Sequence, residues 1–147
     1  MNDAFLELKV SKTYEGSFHL EVDAAFPRGV TAIFGPSGSG KTTILSCIAG
    51  LDSPDRGEIH LQGTPLFSSG RKLNMRPDKR HIGYMFQENL LFPQYNVWEN
   101  IQFGYKLTPP ERRRIHPEQL VELMELGPLV DRRPQKLSSW EQQRVAL

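Results

Sequence analysis

Eight consecutive residues, Gly35-Pro36-Ser37-Gly38-Ser39-Gly40-Lys41-Thr42, set glycines, a lysine and a threonine at the spacing G-x-x-x-x-G-K-[ST]. Each type has a chemical use. Glycine lets a backbone take positive φ and bring its N–H groups against phosphate oxygens. Those amides, with the positive end of a following helix, favour a polyanion. Lys41 is placed to reach β- and γ-phosphates as a point charge, and the Thr42 hydroxyl to meet Mg²⁺. A charged hydrogen bond is worth roughly 1.5–3 kcal/mol, so loss of Lys41 should cripple binding. The chemistry indicated is the holding of a nucleoside triphosphate.

The pattern is specific where it follows a strand and opens a helix. Val30-Thr31-Ala32-Ile33-Phe34 is a β-rich run without alternation, which reads as a strand buried on both faces. Residues 42–49 read as a helix stopped at Gly50. Upstream, residues 5–10 and 18–26 alternate apolar and polar as half-buried strands do, joined by a turn at Tyr14-Glu15-Gly16-Ser17. Downstream, residues 58–61 predict a short strand, residues 68–80 a polar loop, and residues 81–86 a further strand. From about residue 97 the pattern is helical, with Pro117 at a helix start, Leu120, Val121, Leu123 and Met124 on its apolar face, and Gly127-Pro128 closing it. Residues near Leu147 read as another helix.

Composition bounds the rest. The 147 residues carry 18 Lys plus Arg against 17 Asp plus Glu, a net charge of +1 that disfavours nucleic acid as a partner. Hydrophobic residues at 38% suffice for a packed core. The single cysteine, Cys47, allows no internal disulfide and reads as a small core residue. No apolar run nears the roughly 20 residues that cross a bilayer, and Met1-Asn2-Asp3-Ala4 lacks the start of a signal peptide; a soluble, cytoplasmic chain is expected. His19, His60, His81 and His116 have no metal-ligand spacing. Arg112-Arg113-Arg114 and Asp78-Lys79-Arg80 read as solvated polar segments without a chemical role.

Three more segments make the pattern specific. Phe86-Gln87-Glu88 follows a predicted strand, Leu91-Phe92-Pro93-Gln94-Tyr95-Asn96-Val97-Trp98-Glu99-Asn100 fits L-F-P-x-x-x-V-x-x-N, and Leu137-Ser138-Ser139-Trp140-Glu141-Gln142-Gln143-Arg144-Val145-Ala146-Leu147 is close to L-S-G-G-E-x-Q-R-V-A-L. With the phosphate loop, these make the chain resemble the nucleotide-binding domain of an ABC transporter ATPase along essentially its whole length. Thr31–Gly35, Arg80–Gln87 and Leu91–Tyr95 most resemble molybdate importer ATPases, with sulfate, polyamine and sugar importer ATPases sharing much of the pattern.

The resemblance implies an α/β P-loop NTPase fold of the ABC type: an antiparallel β subdomain, an incomplete parallel sheet core and a helical subdomain. It implies a partial domain over 1–147, split near 1–88 and 89–147. ATP and Mg²⁺ are the implied cofactors. ATP falls to Gly35 through Thr42 with Thr43, and to Tyr14, placed like the aromatic that stacks on adenine. Mg²⁺ falls to Thr42 and to Gln87, which would also touch the attacking water. Leu137, Ser138, Ser139, Trp140, Glu141 and Gln142 form the signature that closes over the nucleotide of a second copy. Implied partners are a second ATPase subunit, the transmembrane permease subunits of an importer and, indirectly, a solute-binding protein, which sets the chain on the cytoplasmic face of the membrane. The implied function is ATP hydrolysis coupled to uptake of an oxyanion such as molybdate.

Departures from the family pattern qualify this. Ser139 and Trp140 stand where the signature has glycines, so an indole is expected to block closure over phosphate or to tilt the helix start, although Ser138 with Glu141 keeps a capping-box pattern. The Walker B aspartate, the catalytic glutamate and later elements have no counterpart, and neither Glu88 nor Glu99 is given the base role by the family. Turnover by these 147 residues alone is therefore not expected. A truncated, non-catalytic ATP-binding relic or regulatory fragment is the alternative, and an unrelated P-loop kinase or GTPase is disfavoured by Gln87 and Leu137–Leu147.

Overall fold

The computed structural model describes residues 4–14, 18–88 and 90–147. The chain forms two compact units, Met1–Tyr84 and Met85–Leu147.

Alternating side chains make the first unit a sheet. Strands β1 (Leu6–Thr13), β2 (His19–Phe26), β3 (Arg56–Leu61), β4 (Thr64–Ser68) and β5 (Leu73–Asn74) stand in the order β2-β1-β3-β4-β5, every pairing antiparallel. Leu8 faces Ala24 on one side and Ile59 on the other, while Val10 faces Val22 and Gly57. Gly57 has φ +106°, and a Cβ there would lie 1.9 Å from Lys9 O, so only glycine lets β1 and β3 close. Leu8, Val10, Ile59, Leu66 and Phe67 meet Cys47 of helix α1 (Lys41–Ala49) in one core, with Ile44 and Ile48 packed against it. The predicted strands at 5–10, 18–26 and 58–61 are present, whereas β4 and β5 arise partly from residues read as loop. The predicted turn at Tyr14–Ser17 lies, beyond Tyr14, outside the described residues.

Two expectations are corrected. Neither Val30–Phe34 nor residues 81–86 form a strand, and Val30 and Phe34 are fully exposed, at 104% and 101%. A strand buried on both faces needs partners on its edges and layers above and below. Among the described residues neither segment is a strand of the five-stranded sheet, so the parallel part of the sheet is not assembled. His81, at φ +53°, also turns the chain away from extended geometry at the start of the second segment.

The second unit is helical: α2 (Val97–Leu107), α3 (Pro117–Leu123) and α4 (Ser139–Ala146), with one 3₁₀ turn between the first two and two between the last two. Val97, Leu126, Leu129, Leu137 and Val145 form its core. Helix α3 ends at Leu123, short of Gly127-Pro128, because Glu125 enters the left-handed region at φ +53° and Gly127–Leu129 begin a 3₁₀ turn. Asn96 caps α2 by accepting from Glu99 N, and Glu99 returns a carboxylate to Asn96 N at 2.9 Å. Asn100 fastens the preceding loop to the helix: its Oδ1 accepts from Phe92 N at 2.8 Å, and its Nδ2 donates to the carbonyls of Phe92, Tyr95 and Asn96. The L-F-P-x-x-x-V-x-x-N spacing is thus a loop-and-cap device. No described helix is long and apolar enough to cross a membrane.

Candidate functional site

The phosphate loop is built by glycine conformations. Gly38 and Gly40 have φ +79° and +90°, in the left-handed region, and a Cβ at Gly40 would come within 2.8 Å of Leu20 Cδ1. Ser39 N donates to Pro36 O at 3.3 Å, closing the turn, and Gly40 is the N-cap of α1 with no side-chain partner for the first amides. The helix therefore presents its N-terminal N–H groups at the loop, as an anion site requires. Lys41 Nζ donates to Gly35 O at 2.9 Å and Pro36 O at 2.7 Å, which keeps its ammonium folded against the loop. Thr42 is exposed on the first turn and Thr43 is half-buried beside it.

This donor set fits a polyphosphate: glycine-exposed amides, a helix N-terminus, one flexible ammonium and hydroxyls at Ser37, Ser39 and Thr42. It does not form a cage for a bare cation. Among the described residues no group of three or more His, Cys, Asp or Glu could hold a metal. The exposed Thr42 hydroxyl is a hard oxygen donor of the kind that magnesium accompanying a bound phosphate takes. A mainly apolar cleft of about 710 Å³, with Ile33, Leu45, Ile48 and Ile82 in its lining, also reaches Lys41 and Thr42.

The far end of α1 is fixed by a residue the sequence did not single out. Arg80, only 2% exposed, donates from Nη1 to Cys47 O at 2.7 Å and Ile48 O at 2.8 Å, from Nε to Met75 O at 2.8 Å, and from Nη2 to Asn74 Oδ1 at 2.8 Å. It satisfies the last helix carbonyls and complements the negative end of the dipole. Burial lowers its pKa from the ordinary arginine value, with Cys47 opposing that shift. Gly50, φ +81°, ends the helix, and a Cβ there would lie 2.6 Å from Arg80 Nε. The reading of Asp78-Lys79-Arg80 as a solvated loop holds for Asp78 and Lys79 and fails at Arg80, because helix packing rather than local polarity decides its burial. Cys47 behaves as read: it is buried, and burial pushes its thiol up to about 11.

Tyr14 stands at the end of β1, 38% exposed, with its ring centroid 6.2 Å from that of Phe18. It shares the first unit with the phosphate loop. Gln87 is exposed in the second unit. In the signature segment, Leu137 is buried, and Ser138 caps α4 by accepting from Glu141 N at 3.3 Å. Glu141 Oε2 accepts from Ser138 N at 2.6 Å and Oγ at 2.8 Å, and these bonds hold its carboxyl below the usual range. The capping box anticipated from Ser138 and Glu141 is present, and it forms with Trp140 in the first turn, the indole 78% exposed. Gln142 Nε2 donates to Pro134 O at 2.9 Å and Leu137 O at 3.3 Å, locking the segment to its own unit.

Comparison with known proteins adds relatives to this geometry. The ABC transporter family matches residues 21–147. The molybdenum import ATP-binding protein ModC of Paramagnetospirillum magneticum is 45% identical over 90% of this chain and 37% of its own length. That of Pseudomonas syringae pv. tomato is 44% identical over 97% of this chain and 39% of its own. The chain thus spans under two fifths of the length of these relatives. Among solved structures, the dimeric post-hydrolysis state of the ATP-binding cassette MJ0796 with ADP and Pi has a TM-score of 0.69 at 26% identity, covering 96% of this chain and 66% of that one. The protein cbiO1 of Clostridium perfringens has a TM-score of 0.69 at 24% identity over 98% of this chain and 59% of that one, a likeness of fold.

Proposed function

This chain belongs to the ABC transporter family, and from that premise we propose that it is the nucleotide-binding part of an importer's ATPase subunit, in which ATP binding and hydrolysis drive uptake of molybdate. One observation carries the reading: left-handed Gly38 and Gly40 open α1 with no side-chain cap on its first amides, and Lys41 folds against the same loop. Identities of 45% and 44% to ModC proteins favour molybdate among the oxyanions.

In this reading Gly35, Pro36, Ser37, Gly38, Ser39 and Gly40 wrap the β- and γ-phosphates, and Lys41 leaves its two carbonyl partners to bind them. Thr42 supplies a hydroxyl to Mg²⁺, Thr43 lies behind it, and Tyr14 stacks on the adenine. Bound Mg²⁺ supplies neutralisation of the charge on the transferred phosphoryl group. Gln87 touches Mg²⁺ and the attacking water. The signature Leu137 to Gln142 faces the nucleotide of a second copy, a role that the dimeric MJ0796 cassette supports. The 147 residues correspond to one partial nucleotide-binding domain, divided near residue 88, working on the cytoplasmic face of the membrane with permease subunits and, through them, a solute-binding protein.

The test uses the full-length protein. Lys41→Ala should abolish ATP binding in calorimetry, whereas Gln87→Ala should leave affinity within about threefold and cut turnover at least tenfold. Unchanged nucleotide affinity in Lys41→Ala removes the reading.

A further inference from the structure

The phenol of Tyr14 is held by a carboxylate that itself rides on the phosphate helix. Tyr14 donates its hydroxyl to Asp52 Oδ2 at 2.6 Å and lies 3.5 Å from Thr43 Oγ1 on the first turn of α1. Lys12 Nζ donates to the other carboxylate oxygen, Asp52 Oδ1, at 2.8 Å and to Ser53 O at 2.7 Å, and stands 4.9 Å from the Tyr14 ring centroid. Asp52 also accepts from Ser53 N at 2.7 Å. Its own N–H donates to Ser46 O at 3.2 Å, tying it to the body of α1 two residues beyond the Gly50 cap.

The helix that presents Lys41 and Thr42 at one end therefore carries, at the other, the group that fixes the tyrosine. We propose that Asp52 is a positioning residue for nucleotide binding: it holds Tyr14 in register with α1, so that a base on the ring and a triphosphate in the loop are spaced by one rigid element. Lys12 completes the clamp, covering part of the ring while 38% of Tyr14 stays open to solvent. A tyrosine free to rotate would leave the base contact to be ordered at each binding event, an entropic cost that pre-organisation removes. Burial opposes ionisation of Asp52, yet the hydrogen bonds from Lys12 and Tyr14 outweigh it and hold the carboxyl below its ordinary value, so the anchor is charged at neutral pH.

The inference rests on the reading of Tyr14 as the base-stacking residue, and two ligands separate the two ideas. Inorganic tripolyphosphate engages only the phosphate loop, whereas ATP also engages Tyr14. In the full-length protein, Asp52→Ala should weaken ATP about tenfold and leave tripolyphosphate unchanged, and should cost nothing further in a Tyr14→Ala background. An equal loss for both ligands, or additive losses in the double variant, overturns the proposal and leaves Asp52 a structural residue. If Tyr14→Ala weakens ATP and Asp52→Ala does not, the positioning role alone falls. If Tyr14→Ala leaves ATP affinity intact, the stacking role falls and the positioning role with it. Should Asp52→Ala not fold, Tyr14→Phe removes only the anchored hydroxyl and should weaken ATP several-fold with tripolyphosphate unchanged; wild-type ATP affinity in that variant overturns the proposal.

Discussion

Lys41 and Arg80 show how differently two cations serve one helix. Lys41 is tethered to two carbonyls of its own loop by a flexible stem, so its bonds can be exchanged for phosphate oxygens. Arg80 makes four bonds from a rigid, buried fork and has nothing to exchange. Its removal leaves the carbonyls of Cys47 and Ile48 without their side-chain donor and opens space beside Gly50. Arg80→Ala should therefore destabilise the protein by about 3 kcal/mol in urea unfolding, and Arg80→Lys should recover less than half of that because one ammonium cannot span four acceptors. A loss under about 0.5 kcal/mol would show that water replaces the guanidinium freely.

Among the elements, α4 has the most explicit start. Ser138 and Glu141 each satisfy the other's backbone N–H, and Ser138→Ala should cost about 1 kcal/mol at neutral pH. The carboxyl of Glu141 is held down first by Ser138 N–H and then by its hydroxyl, so its folded pKa lies below the unfolded value. Linkage fixes the sign. The cap's contribution is complete above the unfolded glutamate value of about 4.3 and is lost as pH falls through the lower folded value. The stability gap between wild type and Ser138→Ala should accordingly narrow as pH drops below about 4, in urea titrations at stepped pH. A gap independent of pH would mean that the carboxylate takes no part in the cap.

For the whole molecule, the informative surface is the apolar one beside the phosphate loop. Val30 and Phe34 are fully exposed, and the cleft of about 710 Å³ nearby is lined by Ile33, Leu45, Ile48 and Ile82. In the 147-residue chain, Phe34→Ser should change stability by less than about 0.5 kcal/mol and reduce binding of an apolar dye. In the longer protein proposed here, the same substitution should cost about 3 kcal/mol, because the side chain would lie inside a completed sheet. Equal small effects in both would remove the reading of residues 1–147 as part of a larger domain.

The sequence by itself determined what local rules govern. The glycine-lysine-threonine spacing places the loop at the start of α1, the alternation at 5–10 and 18–26 yields β1 and β2, and Ser138 with Glu141 yields the cap of α4. These follow from backbone freedom, side-chain period and neighbours within four residues. Tertiary structure alone decided the rest. Val30–Phe34 has the composition of a central strand, yet strand formation needs partners that composition cannot supply. Arg80 reads as solvent-facing until its guanidinium is seen on the carbonyls that end α1, 32 residues away for Ile48 O. Asp52, Lys12 and Tyr14 carry no shared spacing, because their meeting is set by where β1 ends against α1, across 38 residues between Tyr14 and Asp52. Contacts of that range depend on how elements pack, and no window along the chain contains them.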